Sequence, residues 1–207
     1  MTTIANLTNA ILFATKKHQL QTRKSTNVPY IVHPIDTMNI LASVGVRDIE
    51  ILEAAVLHDT VEDTHTTIEE IQQTFGDRVA FIVGKVTDDK SLDKVQRKQL
   101  QIERAKTAPY GVCLVKIADK ISNLRDMKVA VPIGWSVEQV QGYFLWCRAV
   151  VTAMSLNNLL EPTALQLLSQ FYECLLGTFT LDERQYPCLV DTMTLDDYYK
   201  LLTPVTN

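Results

Sequence analysis

Apolar side chains recur with helical spacing along nearly all of this chain of 207 residues. Residues at i, i+3, i+4 and i+7 lie on one face of an α-helix, so apolar residues with this spacing predict an amphipathic helix. One such set is Val79, Ile82, Val83 and Val86. The alternation of apolar and polar residues that is typical of strands is not convincing in any segment. The pattern therefore predicts an all-α fold, a compact bundle of about nine or ten helices.

Helix boundaries are indicated by capping patterns and by prolines. Thr67 and Ser136 are each followed three residues later by Glu or Gln, which is the pattern of a capping box at a helix start. Pro34 and Pro162 stand where a first helical turn tolerates the missing N–H. The predicted helices cover about residues 4–18, 30–45, 51–63, 67–76, 79–86, 94–105, 112–127, 136–155, 162–176 and 195–202.

Length and composition favour a single folded domain with an ordinary core. The apolar fraction is 46%, and a chain of this size buries a sizeable core without disulfides or a structural metal. A bound metal would therefore serve function rather than architecture. The formal net charge is −4, which does not indicate a protein that binds nucleic acid or a membrane surface.

The cysteines and the N-terminus favour a cytoplasmic protein. The four cysteines are far apart and form no CxxC pair, so zinc-finger spacing is absent and a reduced, intracellular protein is the simplest interpretation. The N-terminus lacks the basic and apolar regions of a signal peptide. No apolar run approaches the roughly 18 residues of a membrane helix. We therefore expect no membrane partner and a cytoplasmic location.

The stretch from His58 to Asp63 concentrates carboxylates directly after an apolar helical run. On a helix, Asp59, Glu62 and Asp63 have the spacing i, i+3, i+4 and share one face within about one turn. Like charges that close repel each other and lower stability unless something neutralises them. A divalent cation would do so, and His58 beside Asp59 offers it mixed nitrogen and oxygen ligands.

Two candidates for the remaining ligands stand elsewhere in the chain. His33 lies at a predicted helix start, where a histidine taken alone is more often a core or capping residue. Asp119 lies beside the apolar stripe of the seventh predicted helix, and a buried carboxylate there needs a partner. Either Lys116 or Lys120 is that partner, or Asp119 is the fourth ligand of the metal. In the second case Asn123, on the same helical face, would be an amide that faces the substrate.

The order of these residues resembles that of the HD-domain metal-dependent phosphohydrolases. That family carries a His, then a His-Asp pair, then a distal Asp, as His33, His58-Asp59 and Asp119 stand here. Three segments also resemble the hydrolase domain of the RelA/SpoT group, and within it the stand-alone small alarmone hydrolases of animals. The segments are HDTVEDT at 58–64, VTDDK at 86–90 and VKIADKISNLR at 115–125. The resemblance covers about residues 5–175.

This resemblance implies hydrolysis of the 3′-pyrophosphate of guanosine tetra- or pentaphosphate with a single manganese ion. The ligands implied by the matching motifs are His33, His58, Asp59 and Asp119. Ligand chemistry alone would equally allow zinc, iron or cobalt. Glu62 and Asp63, one turn along, would stay free of the metal and would orient or deprotonate the attacking water. Which of these two carboxylates takes the proton stays open.

A substrate with several phosphates requires cations nearby. The residues that the resemblance assigns to substrate binding are Arg23, Lys24, Lys94, Asn123 and Tyr143. In similar proteins the arginine that matches Arg23 lies flat against the guanine. Lys94 would meet a distal phosphate. Gln139 stands where close relatives would carry a basic residue, which puts one phosphate contact in doubt.

The family resemblance stops short of the last residues. We expect a metal-dependent hydrolase domain over residues 1–176 and an extension over residues 177–207 that the sequence does not assign to any role. Two alternatives to alarmone hydrolysis are removal of the 2′-phosphate from NADPH by the same site and a catalytically silent nucleotide-binding module. The intact set of ligand and acidic residues argues against the silent module. The expected partner is a small nucleotide rather than a nucleic acid, and the oligomeric state stays open.

Overall fold

A computed structural model describes residues 3–23, 26–154 and 159–203. Within these residues the chain forms eleven helices and one antiparallel hairpin. The helices are α1 Thr3–Lys17, α2 Val32–Ser43, α3 Ile49–Leu57, α4 Thr60–Asp63, α5 Ile68–Phe75, α6 Asp77–Val86, α7 Lys94–Ala105, α8 Tyr110–Val129, α9 Val137–Ala153, α10 Pro162–Leu175 and α11 Leu195–Leu202. The strands are β1 Thr178–Leu181 and β2 Arg184–Pro187. The prediction of an all-α fold is confirmed.

Helix α8 lies at the centre of the bundle. It packs against α2, α3, α6, α9 and α10, and 12 of its 20 residues are buried. A helix that neighbours surround on several sides also buries polar residues, here Lys116, Lys120 and Ser122. Buried polar groups need partners inside the fold. The polar residues of α8 are therefore where a functional site is expected. None of the helices in the described part of the chain is long and apolar enough to cross a membrane.

The two predicted capping boxes differ in outcome. At Ser136 the box is complete, because Ser136 and Gln139 each accept a backbone N–H from the other. At Thr67 only half of the box forms. The Thr67 hydroxyl accepts the N–H of Glu70, but the Glu70 carboxylate forms an ion pair with Lys17 on α1 instead. Both helices nevertheless begin where the capping pattern predicts.

The predicted helix over residues 51–63 is interrupted at His58 and Asp59. Helix α3 ends at Leu57, and the short α4 begins at Thr60. The His58 ring donates from Nδ1 to the Ala55 carbonyl at 2.7 Å, and the Thr60 hydroxyl donates to the Leu57 carbonyl at 2.7 Å. These side chains take carbonyls that a continuous helix would bond to backbone N–H groups. The break separates His58 and Asp59 from the end of α3, and Asp59 instead caps α4, where its carbonyl accepts the N–H of Asp63 at 2.9 Å.

The hairpin in the C-terminal segment was not predicted. Its turn residues Asp182 and Glu183 have φ angles of 49° and 63°, which Gly or Asn adopts more readily, so the usual hairpin signal is absent. Helix α11 lies where the sequence predicted it. Its Tyr198 is fully buried, and a side chain at Gly142 of α9 would overlap the Tyr198 ring. The segment after α10 therefore packs closely against the bundle.

Candidate metal centre and active site

Four predicted ligands from three parts of the chain converge on one point. His33 comes from α2, the pair His58-Asp59 from the break between α3 and α4, and Asp119 from α8. His33 Nε2 lies 3.1 Å from Asp119 Oδ1, and His58 Nε2 lies 3.0 Å from Asp59 Oδ2. The crossed distances, from His33 Nε2 to Asp59 Oδ2 and from His58 Nε2 to Asp119 Oδ1, are 3.6 and 3.7 Å. We call these four side chains the ligand cluster.

Hydrogen bonds orient both imidazoles toward the carboxylates. The Ala55 carbonyl can only accept, so its 2.7 Å contact fixes the proton of His58 on Nδ1. His33 Nδ1 contacts the Ser122 hydroxyl at 3.0 Å. The buried His58 Nε2 makes no well-aligned hydrogen bond, although carboxylate oxygens lie nearby. A lone pair that faces carboxylates in this way requires either a second proton or a cation.

The electrostatics of the ligand cluster fit a divalent cation. Burial disfavours a charge on His58, but the carboxylates of Asp59 and Asp119 outweigh burial and raise its pKa well above the usual value. Burial likewise opposes charge on Asp59, yet His58 and His33 hold its pKa below the usual range. The pKa of Asp119 is lowered by the same two histidines against the effect of burial. A proton on His58 thus balances negative charge of the carboxylates, and a metal ion would replace that proton.

Three of the four donors, without Asp59, also lie close enough together to bind one small ion. One ligand atom from each of His33, His58 and Asp119 lies within 4.8 Å of the others. Two imidazoles with two carboxylates suit Mn, Fe, Co or Zn rather than the all-oxygen sites of calcium.

Glu62 and Asp63 border the ligand cluster with different partners. Glu62 Oε2 accepts the backbone N–H of Asp88 at 3.0 Å. Burial, followed by the negative charges of Asp88 and Asp59, raises the pKa of Glu62 to about 7. Asp63 Oδ1 instead forms an ion pair with Lys90 Nζ at 2.6 Å. A pKa of about 7 suits a general base near neutral pH.

Two adjoining cavities surround these groups. The first, of about 190 Å³, contains the ligand cluster and both acidic residues of α4. The second, of about 460 Å³, is lined by Arg23, by Trp135 and by the backbone segment that follows α8. The side chains that line both cavities are Tyr30, Asp63, Asn123 and Tyr143. We call the first the inner cavity and the second the outer cavity.

Arg23 and Asn123 connect the outer cavity to the ligand cluster. Arg23 Nη2 donates to Asn123 Oδ1 at 2.9 Å and to Asp126 Oδ2 at 2.7 Å. Asn123 Nδ2 donates in turn to Asp119 Oδ1 at 2.6 Å. The guanidinium lies 5.7 Å from the centroid of the Tyr30 ring. Three of the five predicted substrate residues, Arg23, Asn123 and Tyr143, therefore lie beside the predicted metal site.

Two other predicted substrate residues are not brought to this site. Lys24 lies outside the described residues. Lys94 is exposed at the first position of α7 and lines neither cavity. The residue one turn further along α7, Lys98, lines the inner cavity instead. Gln139 is occupied in the capping box of α9, so it supplies no polar group to either cavity.

Comparison with known proteins identifies the family of this chain. A family model described as the HD domain matches residues 10–139, a range that contains all four residues of the ligand cluster. The chain belongs to the HD-domain family.

Several similar proteins are named for hydrolysis of guanosine 3′,5′-bis(diphosphate), and two similar bacterial proteins are named GTP pyrophosphokinase or probable GTP pyrophosphokinase. A human protein named guanosine-3′,5′-bis(diphosphate) 3′-pyrophosphohydrolase MESH1 is 48% identical over 156 residues, which cover 74% of this chain and 87% of that protein. The MESH1 protein of Drosophila melanogaster is 42% identical over the same shares. A guanosine-3′,5′-bis(diphosphate) 3′-pyrophosphohydrolase of Aquifex aeolicus is 42% identical over 123 residues, 56% of this chain and 17% of that protein.

Two solved structures of similar proteins agree with the fold. A metazoan orthologue of SpoT, described as hydrolysing ppGpp and playing a role in starvation responses, has a TM-score of 0.74 and 39% identity. That match covers 82% of this chain and 95% of the other. The lmo0812 protein of Listeria monocytogenes EGD-e has a TM-score of 0.55 and 27% identity over 68% of this chain and 97% of its own.

Sequence reasoning missed several residues of this HD-domain site. The hydroxyl of Tyr30 donates to Asp59 Oδ2 at 2.6 Å, and burial followed by the charge of Asp59 raises its pKa. Tyr30 stands three residues before His33, one helical turn, and that spacing was a usable signal. Asp88 and Lys98 also line the inner cavity. Helical spacing from a predicted ligand did not indicate these two residues, because Asp88 reaches the inner cavity from a loop and Lys98 from a separate helix.

Proposed function

We propose that this protein hydrolyses the 3′-pyrophosphate of guanosine 3′,5′-bispyrophosphates with one bound manganese ion, giving GDP or GTP and pyrophosphate. The observation that carries the proposal is the ligand cluster, in which two buried imidazoles face two carboxylates beside two connected cavities. The relatives named for this activity match over most of their length, which supports the choice of substrate.

In the proposed site His33, His58, Asp59 and Asp119 hold the metal. When bound, a divalent ion supplies Lewis acidity, lowers the pKa of water and offsets negative charge on the phosphate under attack. Manganese is proposed from the family, since the donor set also accepts iron, cobalt and zinc.

Glu62 is proposed as the general base. A carboxylate with a pKa of about 7 takes up a proton more readily near neutral pH than one with an ordinary value. Glu62 removes a proton from the attacking water while the water oxygen forms a bond to the phosphorus. The bond from that phosphorus to the ribose 3′ oxygen breaks, and the 3′ oxygen takes up a proton. Asp63, which accepts from the Tyr30 hydroxyl at 3.3 Å, helps to orient the water.

The outer cavity is proposed to take the nucleoside. It combines the Arg23 guanidinium with aromatic side chains, and the Trp135 and Tyr143 rings lie 5.8 Å apart between centroids. A planar cation beside aromatic rings suits a purine base and its ribose. Asn123 lies between the two cavities and would contact the sugar or its phosphate. Lys24 remains a proposed phosphate contact, whereas Lys94, which is exposed and lines neither cavity, does not.

Product release from two nucleotides tests the proposal. With manganese present, guanosine tetraphosphate should yield pyrophosphate and GDP at least about tenfold faster than NADPH yields orthophosphate. Release from NADPH alone would replace the proposal with a 2′-phosphatase. Nucleotide binding without any release would indicate the silent module. Asp119→Asn, which removes one ligand charge at nearly constant shape, is the control and should abolish release.

We also propose that residues 1–176 form the hydrolase unit and that residues 177–207 are an extension that braces it, in a protein located in the cytoplasm. The support is Tyr198, which fits against Gly142 on the helix that carries Tyr143. Tyr198→Ala should lower both thermal stability and turnover. If stability falls and turnover per folded molecule is unchanged, the extension does not brace the site.

A further inference from the structure

Three lysines form one wall of the inner cavity. Lys98 comes from α7, and Lys116 and Lys120 come from α8. Lys116 is 5% exposed and Lys120 is 2% exposed, which is rare for lysine unless the charge is paired. All three line the same cavity as the ligand cluster. We call them the lysine wall.

The ammonium groups of the lysine wall have few acceptors. Each ammonium carries three N–H donors. Lys116 Nζ donates to the Val86 carbonyl at 3.4 Å, and Lys120 Nζ donates to Gln101 Oε1 at 3.4 Å, both long for charged donors. Among the described residues Lys98 Nζ has no oxygen acceptor and instead lies 3.4 Å from the centroid of the Trp146 ring. Lys98 is half-buried, and the three ammonium groups together have only two protein acceptors in the described part of the chain, so donors remain for an anion in the cavity.

The nearby carboxylates form few close ion pairs with these lysines. Asp88 faces the inner cavity, but its Oδ2 accepts from Gln101 at 2.8 Å, and it forms no ion pair with a lysine of the wall. Asp119 Oδ2 lies 3.8 Å from Lys120 Nζ, and Asp119 already belongs to the ligand cluster. Burial, helped by the charge of Lys120, lowers the pKa of Lys98 to about 7.

We propose that the lysine wall binds the distal phosphate of a pyrophosphate group whose proximal phosphate lies at the ligand cluster. The identity of the nucleotide in this inference rests on the proposed function. The recognition of a diphosphate by the lysine wall does not depend on it. The inner cavity, at about 190 Å³, is much larger than the roughly 10–15 Å³ that one water requires. Such a wall favours 3′-diphosphates over esters that carry a single phosphate.

The competing explanation is that the lysines only neutralise the acidic residues of the site. In that case ion pairs between the lysines and those acids are expected. Within the described residues, Lys120 is the one member of the lysine wall that approaches a carboxylate within 4 Å, and that contact is 3.8 Å. Simple neutralisation also predicts equal effects on monophosphate and diphosphate ligands.

The experiment compares binding of inorganic pyrophosphate and orthophosphate to the full chain by calorimetry at a fixed free manganese concentration. Wild-type protein should bind pyrophosphate at least about tenfold more tightly than orthophosphate. Lys98→Met keeps the aliphatic stem on Trp146 and removes the charge. It should weaken pyrophosphate binding about tenfold and orthophosphate binding less than about threefold. Lys106→Met, at an exposed lysine that pairs with Glu103, is the matched control and should change neither.

Measurements of manganese content and thermal unfolding establish that each variant is folded and holds its metal. If Lys98→Met fails either measurement, Lys116→Met repeats the test. Equal loss of both ligands, or no loss of pyrophosphate binding, overturns the lysine wall, as does a wild-type protein without any preference for pyrophosphate. A clear pyrophosphate preference without alarmone turnover would overturn the proposed function and support the wall. Alarmone turnover without a preference for pyrophosphate would support the proposed function and overturn the lysine wall.

Discussion

The ligand cluster and the lysine wall border the same inner cavity and both depend on α8, yet they are held in opposite ways. In the ligand cluster, Ala55 and Ser122 orient the imidazoles, and Tyr30 holds Asp59. The wall has two hydrogen bonds of 3.4 Å and the face of an aromatic ring. The ligand cluster is therefore preorganised for its ion, because hydrogen bonds from neighbouring residues hold the ligand side chains in place. The wall keeps unused donors, which is the state expected of a surface that a ligand completes.

The largest expected effect comes from breaking the ligand cluster itself. Asp59→Ala removes a carboxylate that lies 3.0 Å from His58 Nε2 and 3.6 Å from His33 Nε2. We expect loss of stoichiometric manganese and a fall in turnover of about a thousandfold or more, since the metal supplies several kcal/mol of charge stabilisation. Metal analysis and rate measurement test this together. Retained metal with full activity would remove Asp59 from the ligand set.

A somewhat smaller loss is expected when the cluster stays intact and the base is removed. Glu62→Ala combined with Asp63→Ala should leave metal content unchanged and lower turnover by about a hundredfold to ten-thousandfold. The single variants should separate the two roles, with Glu62→Ala the more severe, because its pKa of about 7 suits proton transfer. Undiminished turnover in the double variant would refute the assignment of the base.

The hydrogen bonds behind the cluster should matter less than the ligands. Ser122→Ala removes the partner of His33 Nδ1. Loss of such a partner typically lowers metal affinity by about tenfold to a hundredfold. Titration with manganese measures this, with Ser43→Ala at an exposed helix end as the control. Equal affinity in wild type and Ser122→Ala would mean that the imidazole does not depend on this support.

The smallest effect concerns pH and the charge on Glu62. The folded pKa of about 7 lies above the ordinary value of 4.5. The folded state therefore holds its proton longer than the unfolded state, and this contribution to stability is lost as pH rises from 4.5 to 7. In metal-free protein at pH 8, Glu62→Gln should be more stable than wild type by about 1–2 kcal/mol, a value reduced for partial exposure. At pH 4 the difference should vanish; a difference that is the same at both pH values would contradict the shift.

The ligand cluster was predictable from the sequence to a greater extent than the lysine wall. The clustered carboxylates beside His58 predicted a cation near Asp59 from residue chemistry, and the resemblance to the HD-domain proteins added His33 and Asp119 to the predicted ligands. The helices were predicted from apolar spacing, and α7 and α11 were predicted with the observed bounds. Their accuracy follows from clear caps, since Asp93 and Thr194 each accept an N–H at the helix start.

The remaining features depend on tertiary contacts that no local pattern encodes. Lys98 reaches the inner cavity because α7 packs on α9 and holds its stem on Trp146, whereas Lys94, one turn earlier, faces solvent. The break at His58 depends on side chains that capture carbonyls, which helical spacing alone does not reveal. The hairpin at Asp182 lacks the glycine that would have marked it.

The most direct test of the ligand cluster is anomalous diffraction from crystals of the full chain grown with manganese. One peak is expected about 2.0–2.3 Å from ligand atoms of His33, His58, Asp59 and Asp119. A peak bound without His33 or Asp119, or no peak among the four side chains at saturating manganese, would contradict the proposed metal centre.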